Sequence, residues 1–235
     1  GWSQDPVVTA ALQAKTEGIN GNFDCVTYLD ISTDPEEDGA EVYTDVKTAK
    51  EALGATSPHA AALWPMGAVG DKVYYLSAMF AALTAYTDAG NSDVPYESPS
   101  NKDLKITKTV LKDGTEVLLD QQQANDLLNA NGVITAINAN GYKAWGNNTA
   151  AYPSTSDPKD RWLAVRRFFD WDGNNFILTY FQKVDKPGNT RLIQSIVDSQ
   201  NIIGNGYVAR GYCAGYRTEF KSDENPITNL LDGHL

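Results

Sequence analysis

The 235-residue chain is 42% hydrophobic, 21% charged and carries a formal net charge of −11, which describes an acidic, globular polypeptide with enough apolar side chains for a sizeable core. No run approaches the roughly 20 apolar residues that a membrane-crossing helix needs, and 10% aromatic residues argue against intrinsic disorder. Gly1-Trp2-Ser3-Gln4-Asp5-Pro6 has neither a basic start nor an apolar core, so no cleavable leader is expected.

Residues 1–100 alternate between helix and strand signals. Pro6–Thr16 reads as a short helix, with Val7, Val8, Ala11 and Leu12 on one face. Phe23–Ile31 reads as a strand, and Thr44 caps a predicted helix that runs to Leu53 before Gly54. His59–Trp64 is a second apolar strand stopped by Pro65, and the spacing of Tyr75, Met79, Ala82, Leu83 and Tyr86 predicts a longer helix over Val73–Asp88. Strands separated by helices imply crossover connections. The expected first domain, residues 1–103, is therefore α/β, a mainly parallel sheet with helices on both faces.

Asn91–Asn101, with Pro95 and Pro99, reads as a surface connection. Lys105–Leu111 and Thr115–Leu119 then alternate with period two around Asp113-Gly114, a hairpin signal that places the domain boundary near residue 103. Beyond it come a short helix at Asp120–Asn129, strands at Gly132–Ala136 and Tyr142–Trp145, and a polar loop from Asn147 to Lys159. A long amphipathic helix is predicted over Arg161–Lys183, with Trp162, Val165, Phe169, Phe176 and Tyr180 along one stripe. After a turn at Lys186-Pro187-Gly188-Asn189, Leu192, Ile193, Ile196, Val197, Ile203 and Tyr207 line a second helix, and Tyr212–Phe220 alternates as a strand. Residues 104–235 are thus expected to form an α+β domain, two long helices on a small antiparallel sheet.

Charge divides along the chain in the same way. Residues 1–100 hold 15 acidic against 4 basic side chains and residues 101–235 hold 15 against 15, so the whole excess lies in the first part. An acidic first part with no compact basic stripe after it argues against nucleic acid as a partner.

The inventory for catalysis is poor. His59 is the one histidine in the body of the chain, His234 standing beside the C-terminal residue, and no Gly-x-Ser-x-Gly elbow accompanies it. Cys25 and Cys213 read as two reduced thiols. Two cysteines and two distant histidines make no recognisable zinc spacing, so neither metal nor cofactor is expected. Asp34-Pro35-Glu36-Glu37-Asp38 reads as a solvated acidic turn in preference to a calcium loop, and Asp170 and Asp172, two apart on a helix, diverge. Three features ask for another explanation. Arg166 and Arg167 lie in an aromatic-rich helix and must meet carboxylates, in the chain or on another subunit. Tyr212, Ala214, Tyr216, Thr218 and Phe220 form one face of a candidate edge strand able to receive an added strand. In Gly141–Thr149 an aromatic stands between glycines, so that backbone passes close to something.

Gly141–Thr149, Asp157-Pro158, Val165-Arg166-Arg167-Phe168-Phe169 and the closing Glu224–Gly233 resemble, in order and spacing, contractile phage tail sheath proteins. Ser57–Pro65 and Glu97–Asn101 are similar to a strand and a Pro-Asn loop of that family's central domain. The resemblance implies a subtilisin-like, non-catalytic α/β domain followed by the family's C-terminal domain. It implies a structural role as well: hexameric rings stacked around a tail tube, contracting to drive the tube through the host envelope, with the energy stored in subunit packing. The implied partners are other sheath subunits, joined by strand-adding terminal arms, with the tube protein, baseplate and tail terminator. The implied location is the virion tail, assembled in the host cytoplasm. Both arms of the family pattern are missing from residues 1–235, which are expected to be monomeric. The same resemblance places the neutral second part toward tube and neighbours. The competing reading is a hydrolase- or protease-like enzyme using His59, which would bring Ser and Asp side chains beside that residue in a pocket. A secreted binding module would instead favour a disulfide.

Overall fold

The computed structural model describes residues 2–184, 186 and 189–223, so Glu224–Gly233, His234 and Pro187-Gly188 of the expected turn lie outside the described residues. The chain divides into two compact units, 1–173 and 174–235. The boundary expected near residue 103 therefore falls inside the first unit.

That unit is built on a four-stranded sheet of β1 (Thr27–Asp30), β2 (Ala60–Leu63), β6 (Val133–Asn138) and β7 (Tyr142–Trp145), in that order. β1 pairs with β2 and β2 with β6 in parallel, and β7 closes the sheet antiparallel to β6. Alternation along β2 explains the layering. Ala60, Ala62 and Trp64 face a core shared with α2 (Val46–Leu53) and with Leu12 of α1 (Pro6–Thr16); Ala61 and Leu63 face the opposite core, with Leu76 and Phe80 of α3 (Leu76–Gly90) and Leu163 of α6 (Leu163–Tyr180). α2 buries Val46, Ala49, Lys50 and Leu53, the i, i+3, i+4, i+7 stripe of a helix seated on a sheet.

The predicted helix over Val73–Asp88 starts later than its periodicity suggests. Lys72–Tyr74 forms β4, which pairs with β3 (Met66–Val69) across the Gly70-Asp71 turn. β5 (Lys108–Val110) joins the other edge of β3, giving a second, three-stranded antiparallel sheet. The Asp113-Gly114 turn is present, since Leu111 N–H donates to Thr115 C=O at 2.8 Å, but Thr115–Leu119 contributes only an isolated bridge from Glu116 to Val110. The short helix expected at Asp120–Asn129 is α4 (Gln121–Gln123), which widens into a π-turn at Ala124–Leu128 and tightens into a 3-10 turn at Asn129–Asn131. α5 (Pro158–Arg161) precedes α6.

Two buried polar side chains organise this unit. Asp30, at the carboxyl end of β1, accepts the Ser77 amide at 2.9 Å and the Ser77 hydroxyl, capping α3 from another element because its own N-cap residue, Tyr75, has no side-chain acceptor. Burial raises the Asp30 pKa, and the bonds from Ser77 and Ser3 oppose that rise. Lys50 donates to the carbonyls of Asn131 at 2.7 Å and Tyr152 at 2.9 Å, and desolvation lowers its pKa to about 8 against the pull of Glu51. Since the folded-state pKa lies below the unfolded value, the unfolded chain binds more protons between about pH 8 and 10.5, so this lysine adds stability as pH rises through that window. Urea unfolding at pH 7.5 and 10 is expected to show wild type gaining up to about 3 kcal/mol on Lys50→Met across that interval. Titration of Cys25 and Tyr28 is common to both proteins and cancels in the comparison.

The second unit holds the end of α6 and α7 (Thr190–Ala209), which is capped by the Asn189 side chain accepting the Leu192 amide at 3.0 Å. The strand expected at Tyr212–Phe220 is not one. Among the described residues the segment pairs with no strand; it lies along α7, and side chains substitute for the missing ladder. Asn201 donates Nδ2–H to Thr218 C=O and accepts Thr218 N–H, both at 2.9 Å, the pair of bonds a neighbouring strand would supply. Tyr216 receives a bond from Gln200 at 2.7 Å and packs against Gly204, where an added Cβ would come within 1.9 Å of the ring. Gly204→Ala is accordingly expected to lift the segment from α7 at a local cost of roughly 1–3 kcal/mol. Amide exchange at Thr218, read by mass spectrometry, should then quicken about ten- to hundredfold.

Candidate functional site

Asp24 and His59 precede β1 and β2 and so stand together at the amino edge of the parallel strands. Backbone bonds fix them there: the His59 carbonyl accepts Thr27 N–H at 2.9 Å and the Thr16 carbonyl accepts Cys25 N–H at 3.0 Å. The first turns of α6 bring Arg166 and Asp170, an i, i+4 pair, against them. His59 Nδ1 is 3.3 Å from Asp170 Oδ2, Arg166 Nε is 3.0 Å from Asp170 Oδ1, and an Arg166 terminal nitrogen is 3.0 Å from Asp160 Oδ1. Next to this network Arg167 closes a two-pronged pair on Asp88 of α3.

The network is dry. The side chains of His59, Arg166 and Asp170 are 9%, 11% and 5% exposed. Burial works against a charged imidazole at His59, but the Asp170 carboxylate outweighs it and holds the His59 pKa above its ordinary value. Asp24, His59 and Asp170 each offer a donor atom within 4.8 Å of the others and are the residues placed to hold a metal.

His59 therefore has beside it one of the two side chains, an Asp, that the hydrolase-like reading expects. Among the described residues no hydroxyl bonds to its imidazole. The nearby hydroxyl in sequence, Ser57, donates to Glu17 Oε1 at 2.5 Å and accepts the His59 amide at 3.0 Å, so it is turned away from the imidazole. The edge is also the wrong one, since open α/β sheets bind ligands outside the carboxyl ends of their strands.

Comparison with known proteins bears on these blocks directly. No family model matches the chain. It is 31% identical over 169 residues to a tail sheath protein of Burkholderia phage BcepMu, covering 70% of this chain and 34% of that protein. It is 30% identical over 110 residues to a tail sheath protein of Escherichia phage P2, covering 47% of this chain and 27% of that one. The chain is homologous to tail sheath proteins. It spans about a third of the length of these relatives. Its fold matches that of the sheath complex of an extracellular contractile injection system, PVC, in the contracted state, with a TM-score of 0.61 at 20% identity over 93% of this chain and 55% of the other. It likewise matches the helical sheath of the anti-feeding prophage in the contracted state, with a TM-score of 0.61 at 18% identity over 91% of this chain and 54% of the other.

For a sheath homologue, the singled-out residues fall as follows. Arg166 and Arg167 meet carboxylates within the chain. Of the extended segment, Tyr212, Tyr216 and Thr218 are half-buried against the second unit's own helix, while Ala214 and Phe220 are exposed. Gly146, in the glycine-flanked block, has φ +132°, and a Cβ there would come 2.4 Å from the Asn129 amide, which accounts for the close approach read from the sequence. The acidic turn is capped by Asp34 and met by Lys112, 3.2 Å from Asp34 and 3.6 Å from Glu37. Cys25 and Cys213 are free thiols and half-buried.

The Asp24–His59–Asp170 convergence escaped the sequence reading. It joins three separated segments, and its one local signal is the Arg166/Asp170 spacing on α6.

Proposed function

We propose that the chain is the core of a contractile tail sheath subunit. Copies stack as hexameric rings around a tail tube, and the array shortens to drive the tube through a host envelope. The observation that carries this reading is the likeness to two contracted-state sheath structures over more than 90% of the chain, together with the identity to two phage tail sheath proteins. A structural role agrees with His59 standing at the amino edge of the parallel strands, with the nearby Ser57 hydroxyl bonded to Glu17 instead. The partners are other sheath subunits and the baseplate, with the tube protein and tail terminator at the inner face and the end; the site of action is the virion tail, assembled in the host cytoplasm.

Subunit contacts fall on the second part of the chain. Ala214 and Phe220 are exposed on a segment whose Thr218 already exchanges a strand-like pair of bonds with Asn201, so Tyr212–Phe220 is the segment suited to an arriving strand from a neighbour. Arg166 and Arg167 contribute indirectly, by holding α6 through Asp170, Asp160 and Asp88. Large apolar side chains left at the surface, among them Leu178 (65% exposed) and Ile202 (72% exposed), suit a protein that is covered by its own copies.

Electron microscopy of the full-length protein is the test. Helical tubes with six-fold rings and a central bore support the reading, and a protein that stays dispersed at all concentrations and carries a hydrolytic activity lost in His59→Gln overturns it.

A further inference from the structure

The buried network holds a contact that ion pairing leaves unexplained. His59 Nδ1 and Asp170 Oδ2 are 3.3 Å apart but do not align as a hydrogen bond, and Nδ1 and both carboxylate oxygens of Asp170 have no hydrogen-bond partner although they are cut off from solvent. Two ligand atoms this close, both cut off from solvent and without a hydrogen-bond partner, can share one cation. A tetrahedral zinc with arms of about 2.0–2.1 Å sets its nitrogen and oxygen ligands about 3.3–3.4 Å apart along each edge. The His59–Asp170 separation has that length, and a donor atom of Asp24 lies within 4.8 Å of both.

Charge points the same way. Asp160 and Asp170 share the guanidinium of Arg166 in a cluster where the His59 and Asp170 side chains are 9% and 5% exposed, so Arg166 alone does not balance them. Unbalanced charge is costly there, and one divalent cation balances it. Arg166 approaches Asp170 at Oδ1 and leaves Oδ2, the oxygen facing His59, free to ligate. That is the arrangement by which an outer partner orients a ligand carboxylate. An imidazole with two carboxylates suits zinc better than magnesium or calcium, which take all-oxygen cages.

We propose that Asp24, His59 and Asp170 bind one Zn2+ ion, with Arg166 as the positioning residue for Asp170. The ion ties the segments entering β1 and β2 to the first turns of α6, a clamp independent of the sheath reading.

The experiment is a titration of the EDTA-stripped 235-residue protein with zinc chloride by calorimetry, and with Co2+ followed by visible absorption. One ion per chain is expected, with the d–d bands of a low-coordinate cobalt site and a melting temperature that rises with zinc. Asp24→Asn and His59→Gln should each weaken binding at least tenfold. Asp24→Asn keeps the size of the side chain, and comparing its melting temperature with and without zinc separates lost ligation from lost folding: the rise on adding zinc should vanish whatever its melting temperature in EDTA. Absence of stoichiometric binding to wild type at micromolar zinc overturns the proposal, as does binding that both variants retain, which would put the ion elsewhere.

Discussion

Asp170→Ala is expected to destabilise the first unit by about 3–5 kcal/mol in EDTA, measured as the shift in guanidinium unfolding followed by tryptophan fluorescence. The size follows from what the alanine leaves behind. Arg166 and His59 lose the carboxylate they share, and Arg166 keeps only Asp160, which is a third exposed. A guanidinium stranded in a dry cluster pays its desolvation without recompense. An exposed pair gives the scale of the contrast: Lys47 and Glu51 on α2 are 60% and 67% exposed, and Lys47→Ala should cost no more than about 0.5 kcal/mol. Equal losses for the two substitutions would mean that the network around Asp170 is hydrated in solution.

Trp64→Ala is expected to cost at least as much. Trp64 is fully buried at the end of β2 and packs in the core beneath α2, and its Nε1–H donates to the Ala40 carbonyl at 2.9 Å. Truncation removes the largest side chain in that layer, leaves a cavity that the alanines of β2 cannot fill, and orphans a carbonyl, for about 3–5 kcal/mol or loss of folding at 37 °C. Trp64→Phe separates the two contributions. It keeps most of the volume and is expected to lose about 1–2 kcal/mol, chiefly the hydrogen bond. A phenylalanine variant as unstable as the alanine one would show that the bond to Ala40 outweighs the packing.

Legibility in the sequence followed the range of the forces involved. α2, β1, β2, β6, β7 and α7 announce themselves because each carries its own period and its own stop, such as Gly54 after α2 or Pro65 after β2; α1 lies where expected, but it buries Thr9, Gln13 and Thr16 and leaves Val7 and Ala11 of the expected apolar face exposed. β4 was concealed because Val73 and Tyr75 fit a helical stripe as well as a strand, and only pairing with β3 decides between the two. The alternation of Tyr212–Phe220 did not produce a strand. The segment's partner proved to be a helix side chain, Asn201, which no strand pattern reveals. The arginines of α6 were rightly expected to find carboxylates, while which carboxylates depended on how α3 and the strand entries converge. His59 shows the limit most clearly: its neighbours Asp24 and Asp170 lie 35 and 111 positions away in the chain.

The register of the main sheet also bears on how the protein is made. β1 and β2 lie within the first 63 residues, but β2 meets its other neighbour, β6, only at Val133 and Ile134. About 70 residues must leave the ribosome in between, which at roughly 5–20 residues per second takes some 4–14 s. Throughout that interval the Ala60–Trp64 edge, apolar on both faces, has its hydrogen-bonding groups exposed and nothing to shield them. The nascent chain is thus most open to association with its neighbours on a polysome just before it completes the sheet, and slowing translation between codons 64 and 133 should lower the soluble yield more than slowing it after codon 145.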